Sequence, residues 1–172
     1  MTAPTAVEVG PARPEEYGDV GRVCVAAYTS LDFPLSDEYA ADLRDVAGRA
    51  ADAGVVVLVA RLGGRVVGHA TVVFGESAFV EYARPGEAWL RMVAVDPAVH
   101  GRGVGTSLVQ HALQLARERG LGEMWLYTQP VMLAAQHLYE RLGFHRVPER
   151  DTTVLRGTLR LLAYERLLSQ DG

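Results

Sequence analysis

Hydrophobic positions recur along this chain in two rhythms, and the switches between them outline its elements. Val7-Glu8-Val9 alternates and predicts a short first strand. Pro14 stands where the first turn of a helix tolerates proline, and Val20, Val23, Cys24 and Ala27 follow at helical spacing, which predicts a helix over residues 15–27. The run Thr29-Ser30-Leu31-Asp32-Phe33-Pro34 breaks it. Ser36 can cap a second helix, with Asp37 and Glu38 favourably placed in its first turn, running to about residue 53 and stopped by Gly54. Residues 55–61 are nearly all β-branched or apolar and predict a buried strand. Gly63-Gly64 signals a hairpin, with a return strand over residues 65–74. After a polar stretch through Arg84-Pro85-Gly86, a strand is predicted over residues 87–95, ended by Asp96-Pro97. Leu108, Leu113, Leu115 and Ala116 mark an amphipathic helix over residues 103–119, closed by Gly120. A strand over 124–128 follows, then a helix opened by Pro130 and stopped by Gly143. A short strand over 144–147 and a last strand over 159–167 complete the chain.

Three consecutive central strands imply antiparallel pairing. The strand–helix–strand unit across residues 87–128 implies a parallel pair with a right-handed crossover. The expected class is α/β, a mixed and strongly twisted sheet of six to seven strands with helices on both faces. No repeat or linker divides it. We expect one domain over residues 6–168, a loose start over 1–5 and a tail over 169–172.

Composition narrows the function. The chain has 172 residues, enough for one well-buried core. With 49% hydrophobic and 22% charged residues it has the balance of a folded soluble domain. No apolar run reaches the ~18 residues of a membrane span, and the first residues lack the basic and apolar segments of a signal peptide. A cytoplasmic protein without a membrane partner is expected. The net charge is −4 and no basic stripe is present, which argues against a nucleic-acid partner. Cys24 is the sole cysteine, so neither an intramolecular disulfide nor a cysteine-based zinc site is expected. The histidines show no metal-ligand spacing, and no metal is expected. All 17 basic residues are Arg, which excludes a lysine Schiff base and a P-loop lysine.

The informative segment is Val93-Ala94-Val95-Asp96-Pro97, followed by His100-Gly101-Arg102-Gly103-Val104-Gly105-Thr106. A strand leads through a short loop into three alternating glycines at a helix start. Glycines admit close backbone approach, and the free N–H groups with the helix dipole suit a diphosphate. Arg102 can add charge beside it. The dinucleotide pattern G-x-G-x-x-G/A would begin at Gly101, but it meets Thr106 where Gly or Ala belongs. Its acidic residue should end the next strand, where Thr128 and Gln129 stand. A glycine-rich turn with no ligand is the alternative.

A second constellation is Ala135-Gln136-His137-Leu138-Tyr139-Glu140-Arg141-Leu142-Gly143-Phe144. Together with the glycine segment, it strongly resembles the GCN5-related N-acetyltransferase (GNAT) superfamily. The element order matches over nearly the whole chain; the motifs are specific over about residues 87–147. The resemblance implies a sheet splayed in its middle and acetyl-CoA as co-substrate. It implies that Arg102, Gly103, Val104, Gly105 and Thr106 hold the coenzyme diphosphate through backbone N–H groups, with Gly101 giving the turn. His100 stands where the family prefers Arg or Gln and is either a phosphate partner or a solvated loop residue. The family strand bulges near Val93, Ala94 and Val95. Its free backbone pairs with the pantetheine arm, and one N–H, assigned to Val93 or Val95, polarises the acetyl carbonyl. Tyr139 matches the tyrosine that faces the thioester sulfur, where a phenol can donate a proton to the leaving thiolate.

The position of the family's strand glutamate falls here on Trp89. Glu87, two residues earlier and on the same sheet face, is the candidate base, directly or through water, or else an ordinary strand-end carboxylate. Glu81 and Tyr82 are weaker candidates. Met132 replaces a family Asn that contacts the coenzyme. Trp89 and Arg91 are candidates for the acceptor pocket, Arg91 through a substrate carboxylate. Tyr28, Leu31, Phe33 and Pro34 lie where family acceptor sites have a lip, and the 148–157 stretch is the other expected wall. The implied activity is acetyl transfer from acetyl-CoA to a primary amine by direct attack in a ternary complex. The acceptor is a small molecule first, a peptide or protein amine next. A non-catalytic acyl-CoA-binding module or sensor is the competing reading. A homodimer through the last strand or the helices is compatible with the sequence.

Overall fold

The computed structural model describes residues 5–31, 35–75, 77, 79 and 83–169. Eight strands and five α-helices follow one another as β1 (Glu8–Pro11), α1 (Tyr17–Thr29), α2 (Asp37–Arg44), α3 (Val46–Ala51), β2 (Val55–Leu62), β3 (Arg65–Phe74), β4 (Glu87–Val95), α4 (Val104–Glu118), β5 (Glu123–Thr128), α5 (Leu133–Arg141), β6 (His145–Arg146), β7 (Thr152–Val154) and β8 (Leu159–Leu167). The sheet order is β1-β2-β3-β4-β5-β8-β6, with β7 paired to β8. Among these pairs only β4 and β5 are parallel, joined by the α4 crossover. Helices cover both faces. Val104, Leu108, Val109 and Ala112 of α4 bury against Ala88 and Leu90 on one side. Val20, Val23, Leu43 and Val46 of α1–α3 bury against Trp89 and Ala94 on the other. No helix among the described residues is long and apolar enough to cross a membrane.

Three expectations about elements are corrected. The sheet has eight strands, because the three-residue β7 is too short to show a period. The single helix expected after Ser36 is two. Ser36 caps α2 by accepting from the Tyr39 amide at 3.1 Å, as its position predicts. At Asp45, however, ψ swings to 62°, and its carboxylate accepts from the Gly48 amide at 3.0 Å, starting α3. Arg49 of α3, only 1% exposed, then donates to the Asp42 and Leu43 carbonyls at 2.6 and 3.2 Å, satisfying the carbonyl end of α2. The final helix begins at Leu133, three residues after Pro130.

Two features of the sheet position the site. Gly68 on β3 lies under α4: a Cβ there would come within 2.7 Å of Val104 Cγ1, so the missing side chain sets how closely the start of α4 approaches the sheet. On β4, two steps along β3, from His69 to Thr71, face three along β4, from Ala94 back to Arg91. The extra residue is Met92, with φ 52°, a left-handed bulge that costs an L-residue of order 1 kcal/mol. Beyond it β5 no longer follows β4: their ladder ends at Leu90 and Leu126, while β5 stays with β8 through Thr128.

Glu16 ties the sheet edge to the start of α1. It is 6% exposed and accepts from Arg61 Nε and Nη2, both at 2.7 Å, and from the Arg13 amide at 2.8 Å. The Arg61 guanidinium holds its carboxyl down at about 2. A carboxyl depressed in the folded state stabilises the fold above its unfolded pKa and loses that contribution as pH falls through the folded one. Glu16→Gln is therefore expected to cost about 2–3 kcal/mol at pH 7. The difference from wild type should shrink below pH 5 and vanish near pH 2; denaturant unfolding across pH measures it.

Candidate active site

The N-terminus of α4 is open. An α-helix leaves its first N–H groups without partners. α2 and α3 receive a side-chain cap, but α4 receives none from its N-cap residue Gly103. Gly103 has φ 77°, a conformation a β-branched residue resists, and a Cβ there would meet nothing within 4 Å. The Ser107 amide bonds back to the Gly103 carbonyl at 3.0 Å. The amides of Val104, Gly105 and Thr106 remain as donors at the positive end of the helix dipole. This is a cradle shaped and charged for a phosphate group.

The open turn and the split between β4 and β5 border one cavity of about 620 Å³. The bulged segment Val93, Ala94 and Val95 lines it, and its β5-facing edge has no ladder partner among the described residues. His100, Gly101, Gly103, Val104, Gly105 and Thr106 line one end. Arg102 is exposed and does not line it. The opposite wall is the start of α5 with Leu138 and Tyr139, and the end of α1 with Tyr28 and Leu31.

Tyr139 reaches the cavity because the helical period turns it inward and the next strand locks it. Its ring meets Phe144 edge-on at 5.8 Å and lies tilted to Tyr164 at 6.4 Å. The Phe144 amide donates to the Tyr139 carbonyl at 3.0 Å, which fixes the turn at Gly143. Burial pushes the phenol well above its ordinary value. The group at this end of the cavity is a protonated donor at neutral pH.

Glu87 lies elsewhere. It is 2% exposed, does not line the cavity, and is surrounded by donors. Arg150 Nη1 bonds one oxygen; the other accepts from the Arg84 amide at 2.9 Å and the Trp89 indole at 3.0 Å. Burial alone would raise its carboxyl, but Arg150, the Arg84 amide and the Trp89 indole together hold it below the usual range. The Arg150 guanidinium lies 4.0 Å over the Trp125 ring, and Trp125 stacks on Trp89 at 6.1 Å. The carboxylate expected to act as base is a hydrogen-bonded member of a buried ion pair. Trp89, 1% exposed, is a core residue, and Arg91 donates to the Phe79 carbonyl; neither lines the cavity. Phe33, Pro34, Glu81 and Tyr82 lie outside the described residues. Cys24 is fully buried, its thiol pushed up to about 12 by desolvation, and is no nucleophile.

A sequence model of the acetyltransferase (GNAT) family matches residues 23–144, well over half of the chain. The chain belongs to the GNAT acetyltransferase family. Among relatives, it is 47% identical over 55 residues to a mycothiol acetyltransferase of Rhodococcus erythropolis, 32% of this chain and 18% of that protein. It is 38% identical over 64 residues to the ribosomal protein bS18-alanine N-acetyltransferase of Escherichia coli, 37% of this chain and 43% of that one. The matched segments thus span less than half the length of these relatives. Among solved structures, the PaiA N-acetyltransferase of Thermoplasma acidophilum, in complex with coenzyme A, superposes with a TM-score of 0.69 at 15% identity over 92% of this chain and 98% of that one. At such identity the likeness is one of fold.

Sequence reading of this GNAT chain overlooked part of the cavity wall. Val131, Leu133 and Ala134 before and within the first turn of α5, and Arg141 at its end, line the cavity. Val131 and Leu133 are 63% and 60% exposed, large apolar side chains at its rim. The available signal was that apolar run between Pro130 and Ala135, which reads equally well as a buried helix start.

Proposed function

We propose that this GNAT-family protein is an acetyl-CoA-dependent N-acetyltransferase, acting on a primary amine by direct attack in a ternary complex, with a small molecule as acceptor. One observation carries the reading: an uncapped helix N-terminus, a strand edge with no ladder partner on its β5 side among the described residues, and a buried protonated phenol border the same cavity. Acetyl-CoA supplies the activated acetyl thioester.

The residues divide the remaining work by position. The amides of Val104, Gly105 and Thr106 hold the diphosphate, with His100 beside them. The free edge of Val93–Val95 aligns the extended arm as an added strand, and the Val93 or Val95 N–H orients the carbonyl and stabilises negative charge developing on its oxygen. As the carbon–sulfur bond breaks, Tyr139 Oη gives a proton to the leaving sulfur, and the phenolate regains one from water, which takes up the proton shed by the amine. The cavity walls of α1 and α5 limit water around the reacting atoms. Glu87 is assigned a supporting role: it holds Arg150 against the sheet and so fixes the segment before β7, and the proton shed by the amine passes to water.

That division predicts the behaviour of Glu87→Gln. Loss of the charge beside Arg150 should cost about 2–4 kcal/mol of stability. The acid limb of the kcat/KM profile should persist, because it reports protonation of the acceptor amine. Disappearance of that limb would restore Glu87 as the base.

The acceptor reading is supported by relatives named for small-molecule acetylation, mycothiol and streptothricin acetyltransferases. The bS18-alanine relative makes peptide N-termini the next class to test. The decisive experiment is thiol release from acetyl-CoA against a panel of small amines and peptides. Turnover with an amine is expected. Saturable coenzyme binding without turnover on any acceptor would favour the non-catalytic sensor.

A further inference from the structure

Resting on that reading of the cavity, we infer that Tyr28 sets the length of the acyl chain the site accepts, closing it against groups longer than acetyl. Tyr28 lies in the last turn of α1 and lines the cavity that Tyr139 also lines. It is 9% exposed. Its ring meets that of Tyr39 on α2 edge-on, with centroids 5.7 Å apart and planes at 80°.

A barrier must be stiff as well as large to measure a chain. Tyr28 has only two side-chain torsions, Tyr39 stands behind its ring, and Cys24 one turn earlier on α1 is fully buried. The adjacent Ala27 lines the cavity with only a methyl group, and Tyr28 is the only aromatic side chain that lines it from α1. On this inference the Tyr28 ring limits the outward path of an acyl carbon held near Tyr139 in the cavity that both line. Each methylene that such a wall rejects is worth about 10–200-fold in discrimination. The phenol oxygen plays no part in this; ring volume does.

The test compares acetyl-, butyryl- and hexanoyl-CoA as substrates by kcat/KM and as ligands by calorimetry, with free coenzyme A as control. Wild type should favour acetyl- over hexanoyl-CoA at least about tenfold in both measurements. Tyr28→Ala should reduce that preference about tenfold or more, while binding free coenzyme A unchanged. Tyr28→Phe should keep the wild-type preference. Tyr28→Leu, milder for folding, should fall between. A wild type indifferent to chain length, or an unchanged preference in a folded Tyr28→Ala or Tyr28→Leu protein, overturns the inference. Failure of wild type to bind free coenzyme A overturns the cavity reading as well, so the two failures are distinguishable.

Discussion

Tyr139→Phe is expected to lower kcat roughly 10–100-fold while leaving the KM for acetyl-CoA within about twofold. The change removes one oxygen and keeps the ring. The edge contact with Phe144 and the tilted contact with Tyr164 survive, so the last turn of α5 and the cavity wall stay in place. What is lost is a proton donor. Burial raises the phenol, so it stays protonated through the neutral range, the form the proposed role as proton donor requires. The deficit should appear in the chemical step. A pre-steady-state measurement of thiol release, with coenzyme affinity determined in parallel, separates the two. A kcat within about twofold of wild type would remove Tyr139 from the mechanism.

Gly103→Val is expected to weaken coenzyme A binding about a hundredfold, with Gly105→Val comparable. The two act by different routes. At Gly103 there is room for a side chain but φ is 77°, so a β-branched residue must twist the turn and swing the α4 amides away from their common target. At Gly105 the backbone is ordinary, but a Cβ would lie 3.1 Å from Leu138 Cδ2 on the facing helix, so that side chain must give way and the branched methyls of valine crowd the cavity it lines. Gly64→Ala makes the control: φ is 79° there too, in the β2–β3 hairpin and outside the cavity lining. It should cost about 1 kcal/mol of stability and leave coenzyme affinity unchanged. Calorimetry on the three variants decides. An affinity unchanged in both Gly103→Val and Gly105→Val would contradict the diphosphate assignment.

How much of this was legible depends on the range over which each signal acts. Caps, glycine turns and hydrophobic periods are set within a few residues, so they are written in order along the chain. The α2 cap at Ser36, the last strand over residues 159–167 and the glycine turn opening α4 lie where those local rules place them. So does the parallel β4–β5 pair, since a strand, one helix and a strand leave little topological choice. The ion pair of Glu87 could not be read that way. Two carboxylates with identical neighbours in sequence can be a base or a structural counter-ion, and the decision rests on Arg150, 63 positions away. Nor could the period of β4 show whether Trp89 and Arg91 face a cavity or a core. Met92 shifts the register by one residue, and α1 and α2 pack over the face they occupy. The chain alone therefore determined most of the elements, the family and the glycine turn that opens α4, because these follow from short-range geometry and steric preference. Only the folded protein decided which polar groups border the cavity and which are neutralised outside its lining, because charge compensation and burial depend on residues brought together through space.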